Sequence, residues 1–190
     1  MPIRMLIVED ESLVALALRA MVQSQGYEVL GIAGTGAEAV RLARCESPDV
    51  VLMDVQMPGM DGIEATRCLM EGAPTCVIVI SGNGQSSTMD RAQAAGAMDY
   101  VVKPLIANQV TPVVQEARRR FERFMAIRGA AACLDEALDT WLVVRRAVKA
   151  LVDTQGITED DAFRSLERMA SERGCPLREV AQAVRPAANC

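Results

Sequence analysis

Short apolar runs alternate with amphipathic segments along the first hundred residues. Five runs predict β-strands, at residues 3–8, 27–33, 50–53, 76–80 and 100–102. Four segments between them repeat their apolar residues at helical spacing, beginning at Ser12, Ala37, Ile63 and Ser86. Ser12 is expected to cap the first of these helices. The alternation predicts βαβ units, and therefore an α/β fold with a doubly wound, five-stranded parallel sheet covered by helices on both faces.

The pattern after Pro104 is helical. Five apolar residues repeat at spacings of 4, 3, 4 and 3, namely Val110, Val114, Ala117, Phe121 and Phe124. This spacing predicts a long linker helix with a coiled-coil seam, and residues 108–141 are expected to form a homodimer through it.

A small three-helix domain is predicted at the C-terminal end. Its helices are expected at residues 141–152, 162–173 and 177–184. Thr158, with Asp161 three residues later, is expected to cap the second of them. The residues from Pro186 onward are expected to fray.

Composition removes several functional classes. Apolar residues make up 51% of the chain, which excludes a disordered protein. The sequence contains no histidine, which excludes histidine-based acid–base catalysis and histidine-ligated metal sites. The six cysteines form no CxxC pair, and the sequence shows no secretory leader and no apolar run of membrane length. The chain is therefore expected to be cytoplasmic, with reduced thiols and no membrane partner.

Charge divides the chain into two parts. Residues 1–104 carry seven Lys and Arg against thirteen Asp and Glu, a net charge of −6. Residues 105–190 carry thirteen against twelve, a net charge of +1. This difference predicts two modules with different partners, which we place at residues 1–125 and 126–190, joined by the long helix.

Asp54 ends a strand that is otherwise wholly apolar. A buried acid is unfavourable unless another group compensates its charge. Functional groups of parallel sheets gather at the carboxyl ends of the strands, where the sequence places Glu9, Asp10, Ser81 and Lys103. Carboxylates suit Mg²⁺, and a lysine with a hydroxyl suits the oxygens of a phosphoryl group on Asp54.

These residues resemble the signature of the receiver domain of two-component response regulators. The matching motifs occur in the order of that family: Glu9-Asp10-Glu11, Met53-Asp54, Met57-Pro58-Gly59-Met60-Asp61-Gly62, Ser81-Gly82, Gly96-Ala97, Asp99-Tyr100 and Lys103-Pro104. The resemblance implies a flavodoxin-like sheet and a phosphorylation switch.

The resemblance also implies roles for individual residues. Asp54 would accept a phosphoryl group from a sensor histidine kinase, and self-catalysed phosphotransfer and dephosphorylation there would be the only chemistry, so the chain is not expected to be an enzyme in any other sense. Four residues would form or border a Mg²⁺ site: Glu9, Asp10, Asp54 and Gln56, the last through its main-chain carbonyl. Three would bind or sense the phosphoryl group: Ser81, Tyr100 and Lys103.

The C-terminal segment resembles the ANTAR output domain, an RNA-binding antitermination module. The resemblance rests on residues 156–170 (GITEDDAFRSLERMA) and 177–181 (LREVA). It implies control of transcription through RNA. A positive face is the minimum that RNA binding requires. The candidate contacts are Arg145, Arg146, Lys149, Phe163, Arg164, Arg168 and Arg178.

Two other output functions remain open on the sequence. The helices at 162–173 and 177–184, with the turn between them, also fit a DNA-binding helix-turn-helix in outline. Only Arg178 offers base-reaching chemistry on the second of these helices. The near-neutral charge of the second half fits a protein-interaction module.

Overall fold

The computed structural model describes residues 1–82 and 84–184. The end of the chain from Pro186, where the sequence predicts fraying, lies outside the described residues. The described elements follow in the order β1 (Arg4–Val8), α1 (Ser12–Ser24), β2 (Glu28–Ala33), α2 (Gly36–Glu46), β3 (Val50–Asp54), α3 (Gly62–Gly72), β4 (Cys76–Ser81), α4 (Ser86–Ala94), β5 (Asp99–Val102), α5 (Ala107–Gln155), α6 (Glu159–Arg173) and α7 (Leu177–Ala183).

The strands form one parallel sheet in the order β2-β1-β3-β4-β5. This arrangement confirms the predicted α/β, doubly wound fold. Strand β3 lies at the centre, and all five of its residues are buried. The strand order reverses between β1 and β3, so the carboxyl ends of these two strands meet at the switch point of the sheet.

Apolar side chains cover both faces of the sheet. Helices α2, α3 and α4 cover one face with residues that include Ala39, Leu69 and Ala92. Helix α1 and the beginning of α5 cover the other face with residues that include Val22 and Val114. Burial on both faces explains why the strands are apolar without alternation.

The first part of the predicted dimer seam is wrong. Val110, Val114 and Ala117 are buried against the sheet of their own chain, and Phe121 packs against the same cluster. Helical spacing identifies an apolar face but not the surface that covers it. Val110, Val114 and Ala117 are therefore unavailable to a second copy.

The contacts divide the chain into two compact units, Met1–Met125 and Ala126–Cys190. In the second unit, the last part of α5 packs with α6 and α7 around a small core that includes Val144, Leu166 and Val180. Helix α5 is continuous from Ala107 to Gln155, so the linker helix and the first helix of the predicted three-helix domain are one element.

Two helix starts test the predicted caps. The side-chain oxygen of Thr158 accepts a hydrogen bond from the main-chain N–H of Asp161 at 3.2 Å, which confirms the predicted cap of α6. The prediction for Ser12 is wrong, because the extended backbone continues through Glu11 and Ser12 is already helical. No side chain caps α1.

The described residues were compared with the requirements of a membrane-spanning helix and of a disulfide bond. No helix within residues 1–82 and 84–184 combines the length and the apolarity that crossing a bilayer requires. The described cysteines are free thiols: Cys45, Cys68, Cys76, Cys133 and Cys175. Burial raises the pKa of Cys76 to about 12, so this thiol is not a nucleophile at neutral pH.

Gly62 begins α3 directly beside the end of β3. A β-carbon added at Gly62 would collide with the main-chain oxygen of Asp54 and would lie 3.0 Å from the side chain of Met53. The main-chain N–H of Gly62 also donates to the carbonyl of Val55 at 3.1 Å, which holds the helix against the strand end. Only glycine fits this approach.

Replacing Gly62→Ala is expected to lower the free energy of unfolding by at least about 2 kcal/mol, because rigid main-chain atoms must move to admit the methyl group. Chemical denaturation of the full chain followed by circular dichroism measures the change. Gly34→Ala is the matched control, because its added β-carbon meets nothing within 4 Å. The control is expected to leave stability unchanged or to raise it by up to about 1 kcal/mol. Equal losses in both variants would contradict the close-approach explanation.

Candidate functional site

Three carboxylates meet at the carboxyl edge of the sheet. Glu9 and Asp10 follow β1, and Asp54 is the last residue of the neighbouring strand β3. One carboxylate oxygen from each residue lies within 4.8 Å of the other two. Glu9 is 2% exposed and Asp54 is 5% exposed, whereas Asp10 is open to solvent. The sheet topology thus brings together the three acids that the sequence places at strand ends.

Lys103 supplies the positive charge beside these acids. Its Nζ lies 2.7 Å from Oε2 of Glu9 and 2.9 Å from Oδ1 of Asp54. Its main-chain N–H donates to the carbonyl of Ser81 at 2.8 Å, which fixes the residue beside the end of β4. Removing one partner of a buried pair leaves the other charge uncompensated, so these two contacts matter more than an exposed ion pair does.

Burial changes the titration of both partners. Burial raises the pKa of the Glu9 carboxyl above its usual value, and the charge of Asp54 adds to this effect, although the hydrogen bond from Lys103 opposes it. Burial by itself would lower the pKa of Lys103, but the hydrogen bonds to Glu9 and Asp54 outweigh it and hold that pKa above its usual value. Lys103 is therefore charged at neutral pH.

The donor set fits a hard divalent cation. The three carboxylates offer only oxygen atoms, which are the ligands that Mg²⁺ prefers. One ammonium group faces three carboxylates, so the ionised cluster keeps a negative charge that attracts a cation. Exposed Asp10 leaves the cluster open to solvent. Gln56, predicted to add a main-chain carbonyl, is an exposed loop residue two positions after Asp54.

Ser81 and Tyr100 lie on the two strands beyond β3. Ser81 is the buried last residue of β4, and it follows Ile80, the register partner of Asp54. Tyr100 is a half-buried residue of β5 that packs against the core on the α2–α4 face. It also lines a surface groove of about 490 Å³ together with Arg120.

The predicted RNA-binding residues lie on the three helices of the second unit. Five basic residues are exposed, namely Arg145, Arg146 and Lys149 on α5, and Arg164 and Arg168 on α6. Arg178 is half-buried at the start of α7, and its guanidinium lies 4.0 Å from the carboxylate of Asp139. Phe163 is 39% exposed rather than part of the core.

Trp141 was missed by reasoning from the sequence. It is 52% exposed, and the guanidinium of Arg145 lies 5.1 Å from the centre of its ring. Trp141 and Phe163 belong to different helices but line the same two grooves of the second unit. Its rarity, as the single tryptophan of the chain, was the only signal available in the sequence.

Comparison with known families accounts for both units. The response regulator receiver domain matches residues 5–115, and the ANTAR domain matches residues 132–184. The first match alone covers more than half of the chain.

Individual relatives agree with these matches. The transcriptional regulatory protein PdtaR of Mycobacterium tuberculosis is 40% identical over 183 residues, which cover 96% of this chain and 89% of that protein. The response regulator domain of Thermotoga maritima CheB has a TM-score of 0.57 at 34% identity, over 64% of this chain and 98% of that one. The CheX–CheY–BeF₃–Mg²⁺ complex of Borrelia burgdorferi gives a TM-score of 0.57 at 32% identity, over 60% of this chain and 87% of that one. The chain therefore belongs to the response regulators, with a receiver domain and an ANTAR domain.

Proposed function

We propose that this chain is a cytoplasmic response regulator in which phosphorylation of Asp54 controls RNA binding by the second unit. We place the receiver domain at residues 1–125 and the ANTAR output domain at 126–190, a division that the two compact units support. The observation that carries the switch is the pairing of buried Asp54 with Lys103 inside a cluster of three acids.

The chemistry proposed for Asp54 is phosphoryl transfer from a phosphohistidine of a sensor kinase. A carboxylate oxygen of Asp54 attacks phosphorus, and the bond from phosphorus to the histidine nitrogen breaks. Lys103 is already placed to neutralise charge that develops on the phosphoryl oxygens. Mg²⁺ held by Glu9, Asp10, Asp54 and the Gln56 carbonyl would supply further positive charge. The Mg²⁺ of the Borrelia complex supports this choice of ion.

The proposed signal passes through Ser81, Lys103 and Tyr100. The phosphoryl oxygens compete with the carboxylates for Lys103 and attract the hydroxyl of Ser81. Tyr100 then turns towards the space that Ser81 leaves, which alters the groove that it forms with Arg120. The result is a shift between two populations of the receiver rather than a new fold.

The proposed output is RNA binding in transcription antitermination. The ANTAR match and the regulator PdtaR support control of transcription. The exposed basic residues of α5 and α6 provide the positive surface that phosphate contacts require. A helix-turn-helix on DNA is less well supported, because Arg178 is the one base-reaching residue of α7.

We also propose that two copies pair through the middle of α5. Ile127, Ala131, Leu134 and Leu138 are exposed and repeat at spacings of 4, 3 and 4. This is the spacing of a coiled-coil seam. These four residues lie C-terminal to the residues of α5 that pack on the receiver sheet. In the proposed dimer they take the place of Val110, Val114 and Ala117, which are buried.

Asp54→Asn is expected to abolish phosphorylation, because an amide cannot act as the nucleophile. Treatment with a small phosphodonor and Mg²⁺, followed by mass spectrometry of the intact chain, should show one added phosphoryl group in the native protein and none in the variant. The control is Asp90→Asn, which replaces an exposed acid on α4 and should still show the added mass of one phosphoryl group. If the Asp54→Asn variant gains the same phosphoryl mass as the native protein, Asp54 is not the acceptor.

Lys103→Met is expected to lower the free energy of unfolding by about 2–3 kcal/mol in the presence of EDTA, because two buried carboxylates lose their partner. The pKa of Lys103 is raised on folding, so its contribution is fully present below the ordinary value of 10.5 and is lost as the pH rises above it. Both pH values lie below 10.5, so the loss should appear at pH 7 and at pH 9. Removing Lys103 also raises the pKa of Glu9 further, so the loss at pH 9 should be at least as large as the loss at pH 7. Lys149→Met, which removes the only other lysine, should change stability by less than about 0.5 kcal/mol. Equal effects of the two substitutions would refute the proposed role of the pair.

The native chain is expected to bind a stem-loop RNA with an affinity that falls steeply as the salt concentration rises. Arg146→Ala combined with Lys149→Ala should weaken binding and reduce the slope of log K against log salt by about 1–2, through loss of phosphate contacts. Arg19→Ala combined with Arg67→Ala removes equal charge from exposed receiver positions and is the control. Absent or salt-independent RNA binding would favour a protein-interaction output, and a preference for duplex DNA would favour the helix-turn-helix.

Leu134→Glu combined with Leu138→Glu is expected to convert a native dimer into a monomer, because like charges would face each other across the seam. Analytical ultracentrifugation of the phosphorylated and unphosphorylated chain measures the mass. Leu13→Glu combined with Leu16→Glu, at exposed leucines of α1, is the matched control. A native chain that stays monomeric in both states would rule the pairing out.

A further inference from the structure

A broad groove lies between the last part of α5 and the start of α6. Its volume is about 830 Å³, within the range of roughly 300–1,000 Å³ that is usual for small-molecule sites. Both walls come from the second unit. The residues that matter for its chemistry are Trp141, Arg145, Lys149, Glu159, Asp160 and Phe163.

Two aromatic side chains line this groove although both are substantially exposed. Trp141 is 52% exposed and Phe163 is 39% exposed, in a chain that has only six aromatic residues in total: one tryptophan, two tyrosines and three phenylalanines. Both also line a second, mainly apolar groove of about 490 Å³ beside Leu177. Flat apolar rings that border a charged groove are the surfaces on which unpaired bases stack.

The charges of the groove are divided between its two sides. Arg145, Arg146 and Lys149 come from α5 together with one acid, Asp153, so the α5 side is net positive. Glu159 and Asp160 come from the first turn of α6. A phosphate is attracted to the α5 side and repelled from the α6 side. Duplex RNA presents two phosphate strands and hides the faces of its bases, so it does not match this division. A single strand matches it, with its backbone along α5 and its base turned towards α6.

The acidic side also limits which base fits. Ionised carboxylates accept hydrogen bonds and donate none. The exocyclic amino groups of adenine, cytosine and guanine each offer two N–H donors, whereas uracil has no amino group and offers one donor, its ring N3–H. Arg145, which stands over the ring of Trp141, holds a positive charge next to the stacking surface and so keeps a phosphate near the base.

We propose that this groove holds one unpaired, amino-bearing nucleotide of the RNA, with its base against Trp141 and Phe163, its phosphate on the α5 cations and its amino group on Glu159 or Asp160. The proposal rests on the RNA-binding function proposed above and assigns the recognised element within that RNA. Trp141 would be the main stacking residue.

The single tryptophan makes the contact directly observable. Full-length chain is titrated with an RNA stem closed by a loop of adenosines, and the emission of Trp141 is recorded. Stacking is expected to quench this emission, and the same stem closed as a continuous duplex is expected not to. Trp141→Ala and Phe163→Ala should each weaken binding of the looped RNA by at least about tenfold, while leaving the salt dependence unchanged. Trp141→Phe, which keeps a ring, should restore most of the affinity and guards against a folding defect in the alanine variant.

The acidic side is tested with a matched pair of loops. Native chain should prefer an adenosine loop over a uridine loop of the same length, and Glu159→Gln combined with Asp160→Asn should reduce that preference. If RNA binding depends on salt but is unchanged by the Trp141 and Phe163 substitutions, this inference is wrong and the proposed function is still supported. No RNA binding by native chain would overturn both. If the emission of Trp141 changes with protein concentration but not with added RNA, Trp141 lies in a contact between two copies of the chain, and this inference is wrong.

Discussion

The ammonium group of Lys103, held between Glu9 and Asp54, is the interaction on which the receiver site depends. Two nearly buried carboxylates stand at the edge of an apolar sheet, and a third lies within 4.8 Å of them. Without a fixed cation, their burial and mutual repulsion would favour protonation or local opening. The single lysine makes the cluster stable, but it leaves an excess of negative charge. That excess is what makes the site receptive to a divalent cation.

The parallel sheet explains why these groups converge. Asp54 and the two acids after β1 come from adjacent strands, and Lys103 follows the outer strand β5 and reaches back across β4. This convergence could be predicted from the sequence because every strand of a parallel sheet ends at the same edge. Apolar runs and the residue that follows each of them were sufficient. The close approach of Gly62 to Asp54 could not be predicted in this way, because it depends on the tertiary position of α3.

Helix α5 shows a second limit of sequence patterns. Val110, Val114 and Ala117 have the spacing of a coiled-coil seam, yet their partner is the sheet of their own chain. A period of 3.5 residues describes one side of a contact and contains no information about the other side. The same limit hid the groove of Trp141 and Phe163, which exists only because α6 folds back beside α5. Net charge was similarly uninformative, because a near-neutral total does not show that Arg145, Arg146 and Lys149 of α5 face Glu159 and Asp160 of α6 across one groove.

Covalent continuity places α5 in both parts of the proposed switch. Its first turns belong to the receiver core through Val110 and Val114, and its last turns belong to the core of the second unit through Val144 and Ala147. Buried side chains at both ends mean that the helix cannot shift in one unit without repacking there. Coupling between two sites of a protein is usually about 1–3 kcal/mol, or 5–150-fold in affinity. A change of that size is comparable to the loss expected when Lys103 is replaced, so the proposed switch requires no more energy than one ion pair of this kind involves.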